Sequence, residues 1–560
     1  MRINRFSARS TSPWFTATVA AMAALFLVAT ATAQTAVALY PYPNTDNNSS
    51  GIVPSSFLAQ GPDGELYDTD YSGGEYNNGS VFEMSTSGDY TLLYSFCATD
   101  YPVCSDGWGP EGGVTLGTDG NLYGTTYGGG TNNYGTVFKI TPSGKLTTLY
   151  SFPGGSVDGA NGVFPVFQAS NGDFYGVTAI GGKFDNGTFF KITNKGSLTT
   201  LASFQDSVNG YTPNLPVQGT NGDFYGTTNN GGPNSDCNCG VVYQATTAGK
   251  ISVLYTFPSG QGSPVGQLVQ GSDGNFWGVT DGSAFISCGE LFKISSSGDF
   301  TVVHTFSGGP DDICSPYSGL IAGSDGNLYG VSPAGGSANY GAIYKVDPST
   351  DAFDVIYSFC SGSTCTFYWP GPVLIQDTNG TFYGNTDGSS DGGSDFFSFD
   401  TGLGPFVRTL TQSGEVGASI EFYAQNFTGT TEVEFNGTSA TFTIDSDYEL
   451  TATVPSDATT GPVSVVTPTG TLTALSNFKV TPTVSSFTPT SGGVGATVTI
   501  TGTGLTGATK VTIGGKSASF TVNSSTKITA TVPTGAVTGK KISVTTAGGA
   551  ANSKTTFTVS

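Results

Sequence analysis

At 560 residues the chain exceeds one hydrophobic core and divides into two to four domains. Charged residues make up only 11%, Gly numbers 82 and Pro 28, yet 12% aromatics in a regular pattern exclude a disordered chain. The formal net charge of −22 repels phosphate backbones and anionic lipid surfaces, which excludes nucleic acid as a partner and leaves divalent cations or neutral sugars.

Residues 1–33 read as a secretory signal peptide. Arg2, Arg5 and Arg9 form a basic start, Thr18 to Thr30 a short apolar run, and Ala31-Thr32-Ala33 a cleavage site before Gln34. No Cys stands there for a lipid anchor, and no later stretch has the roughly 20 apolar residues that span a bilayer. The expectation is a mature chain that is exported, secreted or held at the cell surface, without membrane insertion. Loss of the three leader arginines leaves it 16 Lys+Arg against 41 Asp+Glu, or −25.

From about residue 50 to 402 one unit recurs. In Asp119 to Phe152 the turns Asp119-Gly120 and Ser143-Gly144 separate short apolar runs, and Gly accepts the positive φ that tight strand connections require. With Gly113 to Leu116 before them, the runs make a four-stranded antiparallel meander. Its register is marked by Tyr67, Tyr123, Tyr175, Tyr225, Trp277, Tyr329 and Tyr383, spaced 50 to 56 residues apart. The seventh copy lacks a fourth strand, because Phe397 is followed by a Gly-Pro-containing break. A strand-like Val37 to Tyr42 precedes the first copy. If residues 37–42 supply the missing strand, residues 34–402 close into a seven-bladed β-propeller with no open edge. An open β-solenoid is the alternative, and it needs no exchanged strand.

Residues 403–560 are Thr- and Val-rich, and a second pattern occurs twice at an offset of 78. Ser413 to Ala418 matches Ser491 to Ala496, and Ala452 to Pro455 matches Ala530 to Pro533. Alternating strands with turns every 8 to 12 residues indicate two Ig-like β-sandwiches, 403–480 and 481–560. The fold class is therefore all-β throughout.

The core DG-x-[LF]-[YW]-G, a Gly-Gly loop, G-x-[VL]-[FY]-K-[IV] and L-Y-[ST]-F resembles the GloVer tandem-repeat family of exported bacterial proteins, of the choice-of-anchor type, over about 350 residues. The C-terminal pair is similar to IPT/TIG domains through Phe487-Thr488-Pro489-Thr490-Ser491-Gly492, Ala530 to Pro533 and Gly539. The first copy departs from that pattern, with Phe406-Val407-Arg408-Thr409-Leu410 in place of the usual opening. The resemblance implies an exported, surface-associated multidomain protein and supplies no catalytic set.

Eight cysteines in an exported chain imply disulfides. All fall in second-to-third-strand loops or in connections between repeats, which a meander places on one face. Cys97–Cys104 and Cys360–Cys365 close short loops, and Cys288–Cys314 is a third pair. Cys237 and Cys239 are too close in sequence to bridge without strain, so their pairing stays open. Trp108 and Trp369, with Tyr368, lie in cystine-bearing connections on that face, where they either stack on sugar rings or pin long loops. One carboxylate per Asp-Gly turn is a hairpin feature and not a calcium loop. Nothing points to a metal or a cofactor, and no catalytic set is assigned. The lone mature histidine, His304, reads as a packed strand residue, and the lone mature arginine, Arg408, falls between domains. The function indicated is non-enzymatic binding or adhesion to an extracellular glycan or surface protein, with the propeller as head and the sandwiches as spacer. The alternative is a secreted glycoside hydrolase, which requires two carboxylates about 5 to 9 Å apart in the channel.

Overall fold

The computed structural model describes residues 34–42, 57–99, 103–156, 158–233, 237–282, 287–360, 365, 367–389 and 394–560. The expected leader, 1–33, lies outside the described residues. Among the described residues the repeat region holds seven main antiparallel sheets, six of them meanders in sequence order and the seventh completed by a strand from the start of the chain. The second, for example, runs Val114–Leu116, Leu122–Thr125, Thr136–Ile140, Leu146–Ser151. Second and third strands are buried on both faces, and fourth strands are half-buried along most of their length. The fourth sheet differs in that its first strand is broken into Tyr211–Pro213 and Val217–Gln218, both paired with Phe224–Asn230.

The chemistry of the turns explains the recurrent Asp-Gly. Each turn side chain meets the polar tip of the buried aromatic four residues on. Tyr123 Oη donates to Asp119 at 2.7 Å, Tyr329 Oη to Asp325 at 2.9 Å and Trp277 Nε1 to Asp273 at 3.1 Å. Where Asn replaces Asp the direction reverses: Asn171, Asn221 and Asn379 donate to Tyr175, Tyr225 and Tyr383 at 3.0, 2.8 and 3.0 Å. The same residue also accepts the backbone N–H two positions on, so one side chain shapes the turn and satisfies a buried hydroxyl.

The apolar residue before each of these aromatics packs on the preceding sheet. Phe174 stacks on Tyr123 at 4.0 Å, Phe276 on Tyr225 at 3.9 Å and Phe382 on Tyr329 at 4.5 Å. Such pairs add about 0.5–1.5 kcal/mol beyond the area they bury. A glutamine on the first strand supplies a second link. Gln168, Gln218, Gln270 and Gln376 accept the backbone N–H of Thr118, Ser170, Thr220 and Ser324 in the sheet before, at 2.7–3.0 Å.

The seventh sheet takes its fourth strand from the start of the chain. Ala36–Pro41 pairs antiparallel with Asp395–Phe399, setting Val37 against Ser398 and Ala38 against Phe397. The glutamine link repeats across the same junction, where Gln60 Nε2 donates to Thr378 Oγ1 at 2.8 Å. Tyr42, Leu66, Phe82 and Met84 share one apolar cluster with Tyr383 and Phe396. Strand, hydrogen bonds and core all join the last sheet to the first, giving a propeller-like ring.

Residues 403–560 form two further pairs of main sheets with corresponding strand orders, and in the first Ser413–Glu415 and Lys479–Thr481 add a two-stranded parallel sheet. Arg408–Thr409, Ser419–Tyr423, Glu449–Thr453 and Phe442–Ile444 correspond to Thr483–Thr488, Thr497–Thr503, Lys527–Thr531 and Phe520–Ser524. Each pair encloses its own apolar cluster, around Phe422 and Val465 in one and Ile500 and Val544 in the other.

Candidate functional site: a central cavity and the cystine-bearing face

A four-stranded meander sends its first-to-second and third-to-fourth turns to one face of the ring. Its second-to-third loops and the connections to the next sheet go to the other. The first strands of the seven sheets converge on a cavity of about 890 Å³, walled by residues such as Val114, Phe167, Val265, Ile321 and Leu374.

The Asp-Gly-turn end of this cavity is covered by the first C-terminal sandwich. Phe406 N donates to Thr378 O at 3.0 Å, and Gln425 Nε2 to Asp377 Oδ1 at 3.2 Å, both on the turn of the seventh sheet. Lys479 Nζ donates to Thr220 O at 3.3 Å on the turn of the fourth sheet, across the ring. Leu410 packs on the core shared by the first and second sheets. Phe406 to Leu410 and Ala474 to Ser476 thereby floor the cavity. The departure of Phe406–Leu410 from the IPT/TIG pattern has a physical reason: Phe406 and Leu410 meet the ring, while Val407 stays in the core of its own sheets.

Burial pushes the Asp377 carboxyl up to about 6, against backbone and side-chain hydrogen bonds and the attraction of Arg408. Desolvation lowers Arg408, with Asp377 opposing. A carboxyl raised by folding is penalised when ionised, so stability falls as pH climbs from about 4 to about 6 and is flat above. Asp377→Asn should raise the unfolding free energy at pH 7 by about 2 kcal/mol and leave it unchanged at pH 4, measured by urea denaturation at both pH values.

The opposite end opens on the cystine-bearing face. Cys97 is bonded to Cys104, Cys288 to Cys314 and Cys360 to Cys365. Cys237 is bonded to Cys239, the pairing that spacing alone left open. Among the described residues of the ring, the strongly exposed large apolar side chains lie on this face, apart from Val37 and Leu92 on outer strands. Tyr71, Tyr134, Phe184, Tyr317, Tyr340 and Trp369 are examples, the last two 41% and 46% exposed.

The structure does not bring Trp108 and Trp369 together. Trp108 packs against Tyr71 and Tyr127 and donates Nε1–H to Asn133 Oδ1 at 3.1 Å. Trp369 packs against Tyr368 at 4.9 Å and Tyr340 at 6.4 Å, and its backbone N–H donates to Tyr340 O. Neither tryptophan lines the cavity. Of the aromatics that do, Phe57, Phe164, Phe167 and Tyr317 were not singled out in the sequence, and Phe406 stood out only as a break in the family pattern. Phe167 carried a signal, since the equivalent position is Ala59, Val217, Val269 and Ile321 elsewhere. Glu111 is the one carboxylate among the described lining residues; it keeps solvent exposure, and partial desolvation raises it. His304 stacks on Phe353 at 4.5 Å and contacts Asp312 at 3.1 Å, away from the cavity.

The fold and this arrangement define an all-β repeat protein with a ring of sheets around an accessible cavity. Residues 19–233 and 166–397 match the model of the Gloeobacter/Verrucomicrobia repeat, more than half of the chain, and residues 482–559 match the IPT/TIG domain. The chain belongs to the Gloeobacter/Verrucomicrobia repeat family. No curated protein matches it in sequence. Similar solved structures include the extracellular domain of a one-component system of B. thetaiotaomicron, at 11% identity and TM-score 0.43 over 81% of this chain and 54% of that one. PorZ, a surface component of the type-IX secretion system of Porphyromonas gingivalis, is 14% identical with TM-score 0.41 over 75% of this chain and 59% of PorZ. A surface glycan-binding protein of Prevotella bryantii is 22% identical with TM-score 0.20 over 27% of this chain and 38% of its own. This chain thus spans little more than half the length of the first two.

Proposed function

We propose that this is an exported, non-enzymatic binding protein of the cell surface or its surroundings. Residues 34–402 are a seven-bladed β-propeller head, and 403–480 and 481–560 are two IPT/TIG-like sandwiches. The first sandwich is the floor of the head, and the second is a spacer. The ligand face is the cystine-bearing one, and its partner is an extracellular glycan. The observation that carries this reading is the cavity wall. It combines aromatic rings and side-chain amides with a single carboxylate among its described residues, where two-carboxylate glycoside hydrolysis needs a pair. Four disulfides support an oxidising, extracytoplasmic setting. Trp369, with Tyr368 and Tyr340, adds a rim on which sugar rings can stack.

A glycan array probed with residues 34–560 tests this reading. Retention of neutral glycans, unchanged between 0.05 and about 0.5 M salt, is the expected outcome, because uncharged ligands escape ionic screening. Release of new reducing ends from a retained glycan would instead establish the hydrolase, and retention of no glycan would remove the sugar-binding reading.

A further inference from the structure

We propose that the cavity receives the end of a neutral oligosaccharide chain, not its interior; this rests on the glycan-binding reading above. The geometry is that of a one-ended chamber. A chain entering from the cystine-bearing face meets Phe406, Arg408, Leu410 and Leu475, contributed by a sandwich anchored to the turns of the fourth and seventh sheets on either side of the opening. A polymer cannot thread such a ring, whereas a terminus can enter it. The volume of about 890 Å³ lies at the upper end of the range for small-molecule sites and accommodates several sugar units.

The wall chemistry suits such a terminus. Phe57 and Phe164 meet edge to face at 6.1 Å, and Tyr317 stands 58% exposed near them in the cavity lining, giving apolar surfaces for sugar C–H faces. Between these rings, Asn214 Nδ2 holds Asn229 Oδ1 at 2.6 Å, and Gln267 Nε2 donates to Pro216 O at 3.1 Å. These bonds orient Asn229 Nδ2 as a donor and Gln267 Oε1 as an acceptor with no described partner, the complement of a hydroxyl group. The Glu111 carboxylate also has no described hydrogen-bond partner, and two adjacent hydroxyls can donate to its two oxygens. Formal charge in the described lining is limited to Glu111 and Arg408, one of each sign, which selects a ligand without net charge.

The test uses maltohexaose, cellohexaose, xylohexaose, laminarihexaose and mannohexaose, titrated in turn into residues 34–560 by calorimetry, followed by the polymer of any hexaose that binds. The account expects at least one hexaose to bind one to one and its polymer to bind one protein per chain terminus. Glu111→Gln and Phe164→Ala should each weaken the hexaose about tenfold, and Leu92→Ala, on an outer strand away from the cavity, less than about threefold. Thermal denaturation of each variant controls for folding, and Glu111→Gln decides the matter if Phe164→Ala fails to fold. Several proteins per polymer chain, or unchanged binding by Glu111→Gln, would overturn end recognition while leaving glycan binding intact. No binding by any hexaose, with no glycan retained on the array, would overturn both.

Discussion

Removal of residues 34–42 is expected to lower the melting temperature by about 5–8 °C and to produce associated species that the parent chain does not form. The segment contributes the outer strand of the seventh sheet, with five Cα partners from Ala36↔Phe399 to Pro41↔Asp395. It also contributes packing across the junction. Tyr40 stacks on Tyr90 of the first sheet at 5.6 Å, and Tyr42, only 4% exposed, fills the cluster between the first and last sheets. Burial of one large side chain contributes about 1.5–3 kcal/mol, and the strand adds its ladder, so a loss of about 5 kcal/mol is a fair scale. In a domain of this size, with about 2.1 cal/mol/K of unfolding entropy per residue, each kcal/mol moves the midpoint by about 1–1.5 °C. The truncated chain also presents an unpaired strand edge at Asp395–Phe399, which explains the expected association. Thermal denaturation with size-exclusion chromatography reads both effects, and a midpoint within about 2 °C of the parent would contradict this role.

The second large effect is expected at Cys288–Cys314. This bridge ties the second-to-third-strand loop of the fifth sheet to the connection entering the sixth, at a sequence separation of 26. Closing a loop of that length removes enough denatured-chain entropy to stabilise the fold by about 3 kcal/mol. The paired replacement Cys288→Ser and Cys314→Ser, which leaves no free thiol, should therefore lose about 3 kcal/mol in guanidinium denaturation. The bridges with separations of 7 and 5, Cys97–Cys104 and Cys360–Cys365, close shorter loops and should each cost less. A loss below about 1 kcal/mol at Cys288–Cys314 would mean that the Ile313–Cys314 and Ala334–Gly335 pairing already holds this connection without it.

Much of the architecture was legible because Gly, Asp and Asn mark turns for reasons local to a few residues. Asp119-Gly120 announces a hairpin whatever surrounds it, and the aromatic at Tyr123 then sets the period. The swapped strand could be read as well, since a sheet short of one strand and an orphan strand at the other end of the chain form a pair. The glutamine ladder was missed, although it carried a signal: Gln60, Gln168, Gln218, Gln270 and Gln376 all stand three residues before the Asp or Asn of the turn. Its purpose is a bond to the neighbouring sheet, which no single repeat reveals. The cavity floor was invisible for a related reason. Phe406 to Leu410 stood out as a break in a family pattern, but which surface it covers depends on docking between domains. The tryptophans drew attention by size and position, yet Trp108 is engaged with Tyr71, Tyr127 and Asn133, and the cavity rings are four phenylalanines and Tyr317, of which only Phe167 lies on a strand.

The cavity, its floor and its open face all follow from closure of the ring by the first described strand. Hydrogen–deuterium exchange resolved to short peptides measures that closure directly in the intact protein. The account predicts that amides of residues 36–41 are protected to the same degree as those of 395–399, and that both lose protection in one cooperative step. Exchange of 36–41 at the rate of an unstructured peptide, with 395–399 still protected, would contradict it.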